Sequence, residues 1–202
     1  SIVRLPEFFA EWRAYRSRSD EKSVAFSDLW PCLSDRTART MFDPHYFYQG
    51  AWLARRLALV RPALHIDCGS SVLMVSVLSA QVPTVFLDYR PLASGLTDVL
   101  AIAGTLTGLP FADGSLDSVS SLHVIEHVGL ARYGDPLDPN GSSRALAELV
   151  RVVRPGGRLY LSVAVGRERV CFNARRVCSR AAIIRVAAGL SAQVVAKLEF
   201  YA

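Results

Sequence analysis

"ALHIDCGSSVLMVSVLSA", residues 63 to 80, reads as a buried strand, a tight turn and a helix. Leu64 to Cys68 is a short apolar run of strand length, and Ser71 to Ala80 has the length and composition of a helix. This is how a nucleotide-binding α/β domain begins. The turn itself, "DCGSS", keeps one glycine, Gly69. A backbone that passes close to a ligand needs positions without a Cβ, so a run of glycines is the usual solution. Ser70 and Ser71 are the next smallest choice, and their hydroxyls can either hydrogen-bond a ligand carboxylate or cap the following helix.

Outward from this unit the pattern alternates. "TVFLDY" is a second strand, followed by a helical stretch after Pro91. "VLAIAGT" is a third strand and "SVSSLHV" a fourth. Ala145 to Val153 is a helix closed by Pro155-Gly156-Gly157, and "RLYLSVAV" is a fifth strand. A helix over 179–188 and a sixth strand in "AQVVAKLEFY" follow. Strands with near-continuous apolar runs, separated by helices, predict a mostly parallel, Rossmann-like α/β sheet with helices on both faces. Residues 1–62 differ, being aromatic-rich and without strand-like runs, and form a helical N-terminal or lid segment ahead of the Rossmann-like domain at 63–202. Within it "PEFFAEWRAYRSRS" has helical spacing, and a second helix runs from the Asp43-Pro44 turn to about Val60.

The composition is that of an ordinary globular chain, 51% hydrophobic and 20% charged over 202 residues. The formal charge of +5 comes from scattered arginines rather than a basic run interleaved with aromatics, so no nucleic-acid partner is expected. Cys32, Cys68, Cys171 and Cys178 form no CxxC pair and no zinc-ligand spacing. That predicts reduced thiols in a cytoplasmic protein and no metal site. "SIVRLPEFFAEW" lacks the apolar core of a signal peptide, and the apolar 181–198 stretch is interrupted by Arg185 and Lys197, which argues against a membrane span.

In an open parallel sheet the ligand sits beyond the C-terminal strand ends. Asp88 ends the second strand about twenty residues after the glycine turn, where a carboxylate can hold both hydroxyls of a ribose; it also suits a turn before Pro91. The fourth strand delivers His123, Glu126 and His127 to the same edge, where they can do acid/base work or brace the loop. His45, Tyr46 and Tyr48, with the "GLARYGDPLDPNGSS" loop, are the natural walls of a substrate pocket.

Taken together, "LPFADGSLDSVSSLHVIEHV" and "LVRVVRPGGRLYLSV" resemble the class I S-adenosylmethionine-dependent methyltransferases, in the small-molecule, type 11-like branch. The resemblance covers about residues 64–165, half the chain. "FDPHYFYQGAW", "ARYGDPLDPNG" and "FNARRV" look like an uncharacterised subgroup within it. It implies S-adenosylmethionine as cofactor, with the altered glycine turn falling on Asp67, Gly69, Ser70 and Ser71. Either Asp67 heads that motif, or it replaces the first glycine and His65 takes the acidic place. Asp88 falls on the ribose-binding acid and His123 on a residue lining the cofactor pocket. Thr105 stands near the usual adenine-binding acid, with Leu106 left to offer backbone contact. The resemblance further implies methyl transfer to a small molecule, a sugar or biosynthetic intermediate; His127 is the candidate base for it, with Glu126 as its alternative. The competing reading is a non-catalytic, methyltransferase-like binding or scaffolding protein with a degenerate cofactor site, favoured by the depleted turn and Thr105. The family's usual seventh strand has no counterpart in this sequence. A sheet short by one strand is therefore expected, its edge completed by a partner subunit or a second copy of the chain.

Overall fold

The structure is a computed structural model, and it describes residues 4–18, 25–90 and 92–183. The contacts divide the chain into two units, Ser1–Asp43 and Pro44–Ala202. The boundary therefore falls before the second helix, which the sequence grouping had assigned to the N-terminal segment. In the first unit, helix α1 (Leu5–Arg18) carries Glu7 and Glu11, and both pair with Arg36, at 2.5 and 2.7 Å. Phe9, Trp12 and Phe26 pack ring against ring beside them.

The second unit holds helix α2 (Pro44–Val60) and strand β1 (His65–Cys68), then α3 (Val72–Leu78), β2 (Thr84–Asp88), β3 (Val99–Ala103) and β4 (Leu116–Leu122). Helix α4 (Gly141–Val152) runs straight into β5 (Val153–Ser162). The five strands form one sheet in the order β3-β2-β1-β4-β5, and every pairing is parallel. This is the Rossmann-like arrangement read from the alternation. The order reverses at β1, so the strand ends of β1, β2 and β4 open a crevice there.

Because side chains alternate along a strand, the two sheet faces separate cleanly. Ile66, Cys68, Val85, Leu87 and Val119 pack against Ala145, Leu149 and Val152 of α4. On the other face Leu53 and Leu57 of α2 and Leu78 of α3 close over Leu122 and Tyr160, and Val75 covers Phe86 and Val99. Helices thus cover both faces.

Two details differ from the sequence reading. The stretch 92–98 after Pro91 forms no helix, since Ser94 and Gly95 favour turns over a helix continuing into β3. A two-stranded antiparallel hairpin, β6 (Arg169–Cys171) with β7 (Arg175–Val177), follows β5 and was not anticipated, because three-residue strands are too short to display a period. Ser179 opens a helical turn at 180–183, its Oγ accepting from Ala182 N–H at 3.1 Å. The remainder of that expected helix and the expected sixth strand lie outside the described residues.

Candidate functional site

Beyond the strand ends at the reversal point lies a cleft of about 510 Å³. Its lining takes Gly69, Ser70 and Ser71 from the turn that we call its floor, Asp88 and Arg90 from the end of β2, His123, His127, Arg132 and Tyr133 from the segment after β4, and Tyr46 from α2. The sequence-predicted residues Gly69, Ser70, Ser71, Asp88, His123 and His127 are thereby brought to one place. Four others are not. Asp67 lies fully buried beneath the turn, and Glu126 is buried behind His123. Leu106 belongs to the core against α4, and Thr105 is exposed, its hydroxyl bonded to that of Thr107 at 2.9 Å.

The turn owes its shape to a polar network on the α2/α3 face. Ser120 Oγ donates to Asp67 Oδ2, so it has no proton left for His65, and His65 Nε2 must donate to Ser120 Oγ at 2.9 Å. Nδ1 of the same ring then accepts from Ser118 Oγ at 2.8 Å. The imidazole is neutral, and burial holds its pKa down at about 4. Asp67 Oδ1 accepts from Ser70 N–H at 2.9 Å, pinning the turn, and Ser70 Oγ accepts from Leu122 N–H at 2.9 Å, tying the turn to the end of β4. Burial raises the Asp67 carboxyl to about 6 against the pull of these donors. The serines therefore do not cap α3: Ser71 stands at the cap position without a side-chain hydrogen bond, while Ser70 bridges two strands.

Gly69 has φ +75°, and a Cβ there would lie 3.0 Å from Val124 Cγ1 and 3.6 Å from Asp88 Oδ2. The missing side chain keeps the backbone open beside that carboxylate. Asp88 Oδ1 accepts from Arg90 N–H at 2.7 Å, so the turn role and the cleft role coexist in one side chain. This floor suits a ribose diol. The adenine contacts expected of Thr105 and Leu106 have no counterpart in the cleft lining.

After β4, His123 adopts φ +54°, uncommon outside glycine. It is held from both ends: its N–H donates to Ser162 O at 3.0 Å, and Nδ1 meets Glu126 Oε1 at 2.8 Å. The second oxygen of Glu126 is buried without a partner among the described residues. Four residues on, His127 Nδ1 lies 2.6 Å from Ala174 O and 3.3 Å from Arg132 Nη1. A lone pair on Nδ1 would face the carbonyl lone pairs, so the proton sits on Nδ1 and is donated to Ala174 O. Nε2 is left as a proton acceptor. Desolvation lowers the His127 pKa, which keeps the ring neutral near pH 7.

The "GLARYGDPLDPNGSS" wall is fixed by contacts that sequence reasoning missed. Arg176 of β7 donates to Val128 O, Asp138 O and Ser142 Oγ at 2.5, 3.1 and 3.0 Å. Gly129 N–H donates to Asp135 Oδ2 at 2.7 Å. Arg132 and Tyr133 were missed as lining residues too, since nothing in a loop's composition tells which of its side chains turns inward. Among the described residues, no helix is long and apolar enough to cross a membrane.

Comparison with known proteins gives a consistent result. A family described as "Caenorhabditis protein of unknown function, DUF268" matches residues 109–193. The demethylmenaquinone methyltransferase of Renibacterium salmoninarum is 40% identical over 65 residues, 32% of this chain, and the match spans only 23% of that relative. Its counterpart from Beutenbergia cavernae is likewise 40% identical over 65 residues, 22% of its length. Among solved structures, the Burkholderia thailandensis 1,6-didemethyltoxoflavin-N1-methyltransferase, with bound 1,6-didemethyltoxoflavin and S-adenosylhomocysteine, superposes with a TM-score of 0.52 at 17% identity. It covers 73% of this chain and 67% of that one. The YcgJ protein of Bacillus subtilis gives a TM-score of 0.52 at 16% identity, over 71% and 68%.

Proposed function

We infer, from a chain that has the class I methyltransferase fold, that it binds S-adenosylmethionine in this cleft and directs methyl transfer to a small molecule. The observation that carries the reading is the pairing of Gly69 with Asp88 across the floor. One position lacks a side chain, and the carboxylate oxygen beside it is free to accept from a ribose diol. When bound, S-adenosylmethionine supplies an electrophilic methyl group on a sulfonium sulfur.

The chain's own residues do the rest. Ser70, bonded to Leu122 N–H, and Asp67, bonded to Ser70 N–H, hold the floor rigid under the cofactor. His127 Nε2 takes the proton of an acceptor hydroxyl or amine, its tautomer fixed by Ala174 O and its ring neutral at working pH. Glu126, the alternative base, is buried outside the cleft lining and is instead a positioning residue that orients His123. Alignment of acceptor and methyl carbon supplies most of the rate, which suits walls braced by Arg176. Four free thiols suit a reducing compartment, so we assign the reaction to the cytoplasm.

The test is titration calorimetry of the purified protein with S-adenosylmethionine and S-adenosylhomocysteine, repeated on Asp88→Ala. Micromolar binding that the substitution abolishes is expected. No heat from a folded wild-type protein would sink the reading and leave the binding-module alternative, which the exposure of Thr105 outside the cleft favours.

A further inference from the structure

Tyr133 lines the cleft and has two guanidinium groups near its ring, Arg90 Cζ at 4.4 Å from the ring centroid and Arg132 Cζ at 5.1 Å. Two like charges drawn to one ring repel each other unless anions accompany them. Arg90 has its anion, with Nε 3.6 Å from Asp88 Oδ1. Arg132 has none: among the described residues no carboxylate pairs with it, and Asp88 is the sole acid lining the cleft.

Arg132 is exposed to solvent, and two contacts nevertheless hold its side chain in the cleft wall. Its Nη1 donates to Ala174 O at 3.0 Å, and its guanidinium rests near the Tyr133 ring. Ala174 O is also the atom that fixes the His127 tautomer, at 2.6 Å. One carbonyl therefore sets the positions of a neutral proton acceptor and of an uncompensated cation in the same wall. His127 cannot compete for an anion, since desolvation keeps it uncharged near neutrality. A guanidinium that is held in place, lines a cleft and lacks a counter-ion is suited to forked recognition of an oxyanion.

We propose that the small molecule bound in this cleft carries an oxyanion, a carboxylate or a phosphate, held by Arg132 next to His127 Nε2. The proposal deepens the methyl-transfer reading and rests on it for the claim that this molecule is the methyl acceptor. The acceptor is then a molecule whose nucleophilic hydroxyl or amine lies a short distance from an anionic group. A neutral sugar or an uncharged terpenoid does not meet that description.

The experiment is a ligand-observed NMR titration of the full chain, with and without S-adenosylhomocysteine, using benzoate, phenyl phosphate and the neutral benzamide as probes. At least one anionic probe is expected to bind about tenfold more tightly than benzamide, and whichever binds better identifies the oxyanion. The preference should shrink to about twofold in Arg132→Gln and recover in part in Arg132→Lys, with thermal melting checking that each variant is folded. Equal affinity for all three probes, no affinity for any, or a preference that survives in folded Arg132→Gln overturns the proposal. If the anion preference depends on Arg132 while S-adenosylhomocysteine fails to bind, the anion subsite stands and the methyl-transfer reading falls. If S-adenosylhomocysteine binds without any anion preference, the reverse holds.

Discussion

On the face covered by α4, strands β1, β2 and β4 present Ile66, Cys68, Val85, Leu87 and Val119. On the opposite face the same three strands present His65, Asp67, Thr84, Ser118 and Ser120, all buried as deeply. The first face is held by apolar area and packing. The second has apolar packing of its own, with Phe86 and Leu122 under α3 and α2, and adds a directional chain running from Ser118 through His65 and Ser120 to Asp67 and on into the Gly69 turn. Hydrogen bonds contribute little net stability but fix geometry, so the polar chain shapes the cleft while apolar packing, strongest on the α4 face, keeps the sheet folded.

The comparison breaks most visibly at the apolar face. Leu149→Ala, at a fully buried position, should cost about 4 kcal/mol in urea denaturation, while S-adenosylhomocysteine affinity of the folded protein stays within about twofold. A parallel fall in affinity would mean that the two faces do not divide the work. The second test uses pH. His65 titrates at about 4 in the native state against 6.5 unfolded, so its stabilisation is present above 6.5 and lost as pH falls toward 4. Asp67 titrates at about 6 against 3.8, so its folded form is favoured below 3.8 and that advantage is lost as pH rises through 6. Between those limits the two slopes oppose each other, and the contributions of His65 and Asp67 should nearly cancel. Asp67→Asn removes one slope, and stability should then rise by about 3 kcal/mol from pH 4 to 6.5.

Smaller effects belong to the turn itself. Gly69→Ala places a Cβ at positive φ and against Val124, which should cost about 1–2 kcal/mol by thermal unfolding and about tenfold in S-adenosylhomocysteine affinity. Ser70→Ala leaves Leu122 N–H without its acceptor and should cost about 1 kcal/mol. If Ser70→Ala exceeds Gly69→Ala in either measurement, the turn depends more on its tie to β4 than on its open backbone.

Much of the fold was legible because strand and helix periods are local. The runs at 65–68, 84–88, 99–103 and 116–122 are strands, whereas Pro155-Gly156-Gly157, read as a turn closing the helix, lies inside β5, which begins at Val153 directly after α4. The motif "LPFADGSLD" with "ELVR" also has a structural account. Arg151 donates to Leu109 O at 3.0 Å, to Phe111 O at 2.8 Å and to Asp113 at 2.6 Å, while Glu148 accepts from Leu109 N–H. That text encodes the clasp between a loop and α4 rather than a ligand contact. The N-terminal segment was harder to divide, since nothing local distinguishes a helix packed on the sheet from one that precedes it.

The sequence by itself determined the alternation of elements, the parallel sheet, and the meeting of Gly69, Asp88 and the 123–127 stretch at one edge, because these follow from short-range periods and from the rule that ligands meet strand ends. Only the tertiary structure decided what the unusual residues do. That Asp67 braces its turn from beneath depends in part on Ser120, which lies fifty-three residues away. Whether His127 offers a lone pair depends on a carbonyl forty-seven residues away. Hydrogen bonds over such separations are set by how strands and loops are brought together, and no local pattern in the chain records them.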